Sequence, residues 1–256
     1  MTTTETPVGH LLRDWRKRRG ISQLELASRA EVSTRHLSFV ETGRSRPTPT
    51  MIVNLCERLD VPLRERNTML LAGGFAPAYS EHRLDATPMA AVSEAITQIL
   101  RAHQPFPAVV VDRQWEMVDA NESIGTLIAD VDPGLLEPPV NVLRLSLHPD
   151  GLAPRILNLG EWRAHLLHRL EQEIAGSGDQ GLAELLDELR GYPGGAGEQH
   201  DPRGIIVPMQ FRSALGDLSL LSVTTVFGTP RDVTVAELAI ESFYPADAET
   251  AALLRS

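Results

Sequence analysis

A group of cationic, amide, hydroxyl and aromatic side chains between residues 23 and 46 has the composition needed to contact a nucleic acid. An arginine such as Arg35 can donate a bidentate pair to a guanine edge, and a ring such as Phe39 can touch a thymine methyl group. Gln23, Arg44 and Arg46 suit phosphate oxygens. We therefore predict a DNA-contacting surface. Its residues are Gln23, Ser33, Thr34, Arg35, His36, Ser38, Phe39, Arg44 and Arg46.

Two short helices joined by a turn would present these side chains. Ser22 is a good N-cap for the first helix, and Glu25 three residues later completes a capping box. Leu24 and Ala27 are expected on one face of this helix, because side chains three residues apart are neighbours. The helix should end near Arg29, directly before a turn at residues 30–32.

The second helix is predicted from Thr34 to Thr42, with Ser33 as its N-cap and Gly43 after its end. Leu37 and Val40 are three residues apart, so they should face inward together. A helix lying in the major groove contacts bases chiefly through its N-terminal half. The side chains directed outward are then those of Thr34, Arg35, Ser38 and Phe39, with His36 to one side.

The combined pattern SQxELAxRAxVSxxxLSxxExG at residues 22–43 resembles the helix-turn-helix of Cro/XRE regulators. The resemblance implies sequence-specific DNA binding, whereas spacing alone also permits a generic three-helix packing unit with solvated arginines. Such turns usually carry glycine where this chain has Glu31. A left-handed backbone at Glu31 would cost roughly 1 kcal/mol.

Five helices are expected in the first domain. The basic segment that ends the first helix, residues 16–19, is either a solvated terminus or a phosphate contact. Cys56 is the single cysteine, which excludes an internal disulfide. Its helical spacing from Ile52 and Leu59 favours a small core residue over a redox-sensing thiol. Besides the two described above, the helices are Val8–Arg19, Thr50–Leu59 and Leu63–Leu71.

Charge is divided unevenly along the 256 residues, whose formal net charge is −10. Residues 1–79 carry 12 Lys and Arg against 8 Asp and Glu, whereas residues 80–256 carry 12 against 26. The asymmetry predicts one domain that faces nucleic acid and one that avoids it. We expect a DNA-binding domain at 1–79, a linker and connecting helix at 80–104, and a second domain at 105–256.

Neither a membrane span nor secretion is expected. The sequence contains no run of eighteen apolar residues. The N-terminus, MTTTETPVGH, lacks the apolar core of a signal peptide. We therefore expect a cytoplasmic protein.

The second domain is predicted to be α+β, with a five-stranded antiparallel sheet and helices on one face. A helix at 89–101 precedes it and either connects the domains, packs on the second one or joins a partner. Asn121 is expected to cap a helix, and the last hairpin should turn over Gly216-Asp217, a preferred turn pair. The predicted strands are Ala108–Val111, Trp115–Asp119, Ile205–Arg212, Leu218–Phe227 and Glu237–Tyr244.

The stretch VVVDRQWEMVDAN is similar to the start of PAS sensory domains. RHLSFVETGRSRP, LDVPLRERN, GGFAPAY, PAVVVDRQW, NVLRLSLHPDGLAP and FGTPRDVTVAELAIESFYPAD resemble the MmyB-like regulators, and the likeness covers nearly the whole chain. The resemblance implies a dimeric transcriptional regulator with a PAS-like ligand-binding and dimerisation domain. It also implies an apolar pocket for a fatty-acid-like or other apolar small molecule.

Arg144 and His148 are candidates to meet an acidic head group of such a ligand, although a structural salt bridge and a turn histidine are the more common explanation for these residues. Trp115, Leu166 and Leu170 are expected to supply apolar contacts. Glu161, His165 and His168 have a spacing that metals use, but they lack an evident fourth ligand. We expect a solvated helix face there and no metal or other cofactor.

The sequence predicts a regulator that binds a palindromic double-stranded operator as a homodimer and responds to a small apolar ligand. Ligand preference for one dimer geometry would change half-site spacing and thereby operator affinity. Two alternatives remain: a second domain that only dimerises, or an enzyme carrying a helix-turn-helix. The chain shows no G-x-S-x-G elbow and no phosphate-binding loop, so we expect no catalytic residues.

Overall fold

The computed structural model describes residues 7–194 and 206–255. The chain forms two compact units. The first comprises Met1–His82 with Ala175–Ser177 and Pro230–Ala236, and the second comprises Arg83–Ile174, Gly178–Thr229 and Glu237–Ser256. The domain limits expected from the sequence stay predictions. Within the described ranges, no helix has the length and apolar character required to cross a membrane.

Five helices in the N-terminal region confirm the predicted all-α architecture. Ser22 accepts a hydrogen bond from the Glu25 amide at 3.1 Å, and Ser33 accepts one from the His36 amide at 3.1 Å. These caps begin the two helices of the predicted helix-turn-helix. The helices are α1 (Val8–Arg18), α2 (Gln23–Arg29), α3 (Thr34–Glu41), α4 (Pro49–Arg58) and α5 (Leu63–Ala72).

The core of this unit is built from one apolar face of each helix. Leu37 and Val40 are buried as predicted. Leu24 is 69% exposed whereas Ala27 is buried, so the prediction that these two residues share one face of α2 is wrong. Leu26 and Ala27 fill the core instead, because α2 turns these two positions toward α3.

The second unit contains the predicted five-stranded antiparallel sheet, with strand order β2-β1-β5-β4-β3. The strands are β1 (Ala108–Val111), β2 (Met117–Ala120), β3 (Met209–Ser213), β4 (Gly216–Val226) and β5 (Ala239–Pro245). The remaining α-helices are α6 (Ala90–Ala102), α7 (Gly125–Ile128), α8 (Val142–Leu147), α9 (Leu159–Ser177), α10 (Gln180–Gly191), α11 (Val233–Ala236) and α12 (Ala248–Leu253). Part of the predicted loop at 191–204 and Ile205 of the third predicted strand lie outside the described residues.

Helices pack on both faces of this sheet, which corrects the expectation of one covered face. Val109 and Val111 of β1 join the large core that includes α9 and α10. The alternate residue Val110 packs on the opposite face against Ile96 and Leu100 of α6. The helix expected at 89–101 therefore packs on the second unit's own sheet.

Two local expectations are wrong. Ser213 pairs with Gly216 in the β3–β4 register, so the hairpin turns over Ala214-Leu215 and not over Gly216-Asp217.

Asn121 does not cap a helix with its side chain. Its amide accepts from Ala108 at 3.0 Å and donates to the carbonyls of Leu100 and Phe106, which ties the end of α6 to the start of β1.

Candidate DNA-contacting surface and ligand cavity

Helix α3 presents the predicted DNA-contacting residues on its solvent side. Leu37 and Val40 fix the inner face, since both are almost fully buried. Arg35 and His36 are exposed, whereas Thr34, Ser38 and Phe39 are half-buried. The structure thus places the residues predicted on this helix, except its N-cap Ser33, on one continuous surface.

The loop after α3 carries Arg44 and Arg46, both exposed. Gly43 ends the helix with a φ of +73°, a left-handed conformation that glycine adopts without steric cost. The Phe39 carbonyl then accepts from the amides of Arg44 and Ser45 at 2.8 and 3.1 Å. These bonds fold the loop back beside α3, so the loop arginines extend the same surface.

The arginines of this surface lack acidic partners, unlike several other arginines of the unit. Arg29 pairs with Glu25 at 2.6 Å, and Arg64 pairs with Glu81 at 2.6 Å. Within the described ranges, the three arginines of this surface form no ion pair with a carboxylate; they are Arg35, Arg44 and Arg46. Their positive charge is therefore available to an external anion such as a phosphate.

Arg16 occupies a different position from the one its basic neighbours suggested. It is buried and donates two bonds to Glu41, from Nε at 2.6 Å and from Nη2 at 2.8 Å. Its role is structural, and neither a solvated terminus nor a phosphate contact describes it. Burial raises the pKa of Glu41, but the bonds from Arg16 and Gln23 outweigh burial and hold that pKa below its usual value.

Gln23 belongs to this buried network as well as to the predicted phosphate contacts. Its Nε2 donates to Glu41 Oε2 at 2.7 Å. The side chain is half-buried at the start of α2. One amide hydrogen is thus directed to Glu41, and any phosphate contact uses the other.

The second unit contains an apolar cavity between the sheet and its helices. Its volume is about 70 Å³. Among the predicted ligand contacts, Trp115 and Leu166 line it, whereas Leu170 is buried in the surrounding core. Further walls come from Val109, Met117, Leu127, Trp162, Met209 and Phe243.

Trp115 faces this cavity through an irregular turn between β1 and β2. Its φ is +63°, which is uncommon for a residue other than glycine. Asp112 holds the turn, because its carboxylate accepts from the amides of Gln114 and Glu116 at 2.8 and 2.9 Å. The predicted strand at 115–119 therefore starts two residues later, at Met117.

The cavity has a charged end that sequence analysis missed. Arg169 of α9 donates to Glu241 of β5, with the shorter bond at 2.7 Å. Ser222 and Thr224 of β4 each donate to the same carboxylate at 2.8 Å. Burial raises the pKa of Glu241, but these donors together bring it below its usual value. A carboxylate within the otherwise apolar strand AIESFYP was the available signal.

The Arg169 guanidinium is also held from two other directions. Its carbon lies 4.4 Å from the centroid of the Trp115 ring, and its Nε donates to Glu173 at 3.3 Å. Trp115 Nε1 donates to Glu173 at 2.9 Å. The charged end is therefore fixed before any ligand arrives.

Arg144 and His148 lie outside this cavity lining, which corrects their assignment to a ligand head group. Arg144 donates two bonds of 2.7 Å to Glu188. The Tyr192 hydroxyl donates to the same carboxylate, and its ring packs edge-on against His148. These contacts occupy Arg144, so the structure favours the salt-bridge alternative.

The helix face with the metal-like spacing is engaged in local contacts. Glu161 accepts from Asn158 at 3.1 Å, and His168 contacts Gln172 at 2.9 Å. No group of three potential ligands is positioned to hold a metal ion in the described part of the chain.

Comparison with known proteins identifies both parts of the chain. Residues 92–256 match the MmyB-like transcription regulator ligand binding domain. The chain belongs to the MmyB-like regulators. Residues 12–66 match a helix-turn-helix family. This MmyB-like protein is thus a DNA-binding transcriptional regulator with a ligand-binding domain.

Individual relatives and solved structures resemble parts of this chain or most of it. The transcriptional regulator ClgR of Mycobacterium tuberculosis is 33% identical over 81 residues, which cover 32% of this chain and 70% of ClgR. A crystal structure of the clp gene regulator ClgR from C. glutamicum is 27% identical, with a TM-score of 0.23, over 26% of this chain and 83% of that chain. An RNA-binding light-oxygen-voltage receptor is 11% identical, with a TM-score of 0.29, over 97% of this chain and 61% of that chain.

Proposed function

We propose that this MmyB-like regulator binds a specific operator whose affinity changes when a small apolar ligand enters the cavity of the second unit. The regulator acts as a cytoplasmic homodimer on a palindromic operator and has no enzymatic activity of its own. Helix α3 contacts the bases, and the unpaired arginines after it contact phosphates.

The apolar cavity with one fixed charged end is the observation that carries the ligand proposal. Small-molecule sites are concave and mostly apolar, with few polar groups that set orientation. The walls around Leu166 and Met209 meet the first condition, and the Arg169–Glu241 pair meets the second. An interior built only for stability would be expected to close around apolar side chains.

The size of the cavity indicates how a ligand is accommodated. At about 70 Å³ it is smaller than the roughly 300–1,000 Å³ of typical ligand pockets. A fatty-acid-like chain would require Met117, Met209 and neighbouring side chains to move. Methionine is unbranched and repacks readily. We propose that this expansion of the cavity is the regulatory signal. A ligand shifts the equilibrium between two conformations of the protein only if it binds one of them more tightly.

Native mass spectrometry of the purified protein, before and after organic extraction, tests the ligand proposal. The expected result is a dimer carrying a discrete small mass that extraction removes. Operator affinity of the extracted protein, measured by fluorescence anisotropy, should then change when the extract is restored. An unchanged affinity at saturating ligand would refute the regulatory coupling, and a monomer would refute the two-half-site arrangement.

A cavity-filling variant provides the control. Leu166→Phe places a larger ring in the cavity wall and should abolish the copurifying mass. The variant should still bind operator, since residue 166 is remote in sequence from the helix-turn-helix and belongs to the second unit. If the mass persisted at the wild-type level in Leu166→Phe, the ligand would occupy another site.

A further inference from the structure

The Phe39 ring lies beside two of the unpaired guanidinium groups on the DNA-contacting surface. We propose that Phe39 is a positioning residue that holds Arg35 for base recognition and Arg44 for phosphate contact. This inference rests on the proposed function of α3 and adds a specificity determinant to it. The role differs from the thymine-methyl contact that the sequence suggested for Phe39.

The geometry of the three side chains supports the proposal. The guanidinium carbon of Arg35 lies 5.3 Å from the centroid of the Phe39 ring, and that of Arg44 lies 6.0 Å away. Both distances fall within the range of about 6 Å at which a cation is attracted to an aromatic face. Arg35 and Phe39 are four residues apart on α3, so they share one helix face.

Arg35 needs such a support, because no carboxylate in the described ranges fixes it. A free arginine side chain samples many rotamers. Restricting it to the one conformation that contacts DNA costs conformational entropy. Contact with the ring restricts that motion in advance. A guanidinium packed on a ring face keeps its N–H groups in its own plane, where they remain able to donate to a guanine edge.

The same ring contacts both cations, at 5.3 Å from the Arg35 guanidinium carbon and 6.0 Å from that of Arg44. Neither arginine has a carboxylate partner in the described ranges. A guanine edge and a phosphate, both rich in acceptor oxygens, would bind the two cations that this ring holds. Base recognition by Arg35 and backbone contact by Arg44 thereby become interdependent through Phe39.

Substitutions at residue 39 can separate this role from folding. The Phe39 carbonyl, not its ring, accepts from Arg44 and Ser45, so the loop geometry survives a change of side chain. Phe39→Leu removes the aromatic face and retains an apolar side chain. Phe39→Tyr keeps the face and serves as the conservative rescue.

The experiment selects preferred duplexes from a randomised library with the full-length wild-type protein. Dissociation constants are then measured on the best duplex and on one with the critical guanine replaced. Arg35→Ala should abolish the discrimination between the two. Phe39→Leu should reduce it about two- to fivefold, the range supplied by an exposed cation–π contact, and Phe39→Tyr should restore it. Thermal melting of each variant reports its folding independently.

The outcomes distinguish the positioning role of Phe39 from base contact by Arg35. Loss of discrimination in Phe39→Leu with rescue in Phe39→Tyr supports the positioning role, since a purely structural defect would weaken both duplexes equally. Wild-type discrimination in Phe39→Leu beside a loss in Arg35→Ala overturns the positioning role and leaves base contact by Arg35 intact. Unchanged discrimination in Arg35→Ala overturns the proposed orientation of α3 itself.

Discussion

Arg16 of the first helix and Glu41 of the third form a buried bidentate pair, with N–O distances of 2.6 and 2.8 Å. Gln23 of the second helix donates to the same carboxylate at 2.7 Å. One acidic side chain therefore joins the three helices that set the DNA-contacting surface. The orientation of α3 depends on this polar contact as well as on the apolar core.

Glu41→Gln should destabilise the N-terminal unit strongly. The substitution leaves the Arg16 charge buried without a carboxylate, and breaking a buried pair in this way costs about 3–5 kcal/mol. Urea unfolding followed by circular dichroism measures the loss. The matched control is Glu25→Gln, whose pair with Arg29 is exposed and contributes at most about 1 kcal/mol. Equal effects in the two variants would contradict a structural role for the buried pair.

Glu31→Gly should stabilise the helix-turn-helix. Glu31 has a φ of +56°, as the departure from the usual turn glycine suggested, and glycine adopts that conformation without steric strain. The gain should be up to about 1 kcal/mol, visible as a higher melting temperature. Arg13→Gly, at an exposed position in the interior of α1, is the control and should lose about 1 kcal/mol. A loss of stability in Glu31→Gly would show that the side chain outweighs the strain.

The Arg144–Glu188 pair should make the second unit sensitive to acid. Hydrogen bonds from Arg144 lower the pKa of Glu188 from 4.5 to about 2. Since the folded pKa lies below the unfolded one, the pair stabilises the protein above about pH 4.5. This stabilisation is lost as the pH falls toward 2.

Urea midpoints between pH 7 and pH 3 measure this dependence. Glu188→Gln should be less stable than the wild type at pH 7, with a smaller difference at pH 3. Glu184→Gln, an exposed change on the same helix, should follow the wild-type curve. A constant difference between Glu188→Gln and wild type at every pH would argue against the ionic contribution.

Cys56 should resist alkylation in the native protein. Burial raises the pKa of its thiol to about 12, and its sulfur lies 3.3 Å from the sulfur of Met69 in the core. Only the thiolate reacts rapidly with iodoacetamide. Mass spectrometry should therefore find modification only after denaturation. Rapid labelling without unfolding would restore the redox-sensing alternative.

Arg44→Ala should weaken all DNA duplexes about equally. Loss of one phosphate contact lowers the slope of log affinity against log salt by about 0.9. Arg35→Ala should instead relax the base preference at one position and cost about 1–3 kcal/mol on the preferred duplex. Anisotropy titrations over a range of salt concentrations separate the two effects. Similar behaviour of both variants would mean that α3 is oriented differently.

Local features of the fold could be predicted from the sequence because their causes are local. Ser22 and Ser33 cap helices within three residues of their own positions. The apolar spacing of Leu37 and Val40 likewise fixes the inner face of α3 without information from the rest of the chain. The predicted DNA-contacting residues on that helix follow from this face.

Contacts between distant residues could not be predicted in this way. Arg16 and Glu41 are 25 positions apart, and the basic run around Arg16 suggested exposure instead. Arg169 meets Glu241 from 72 positions away, so the charged end of the cavity appears only when α9 packs on the sheet. The sequence around Arg144 permits either a ligand contact or a salt bridge, and it does not name the partner, Glu188, which comes from α10.

The positions of the tryptophans allow intrinsic fluorescence to report on the cavity. Of the three in the chain, Trp115 and Trp162 line the cavity, whereas Trp15 lies in the core of the other unit. The emission of an indole ring responds to the polarity around it. In a Trp15→Phe background, intrinsic fluorescence would follow events in the cavity alone. Candidate effectors can then be screened by titration without a label and without knowledge of the operator.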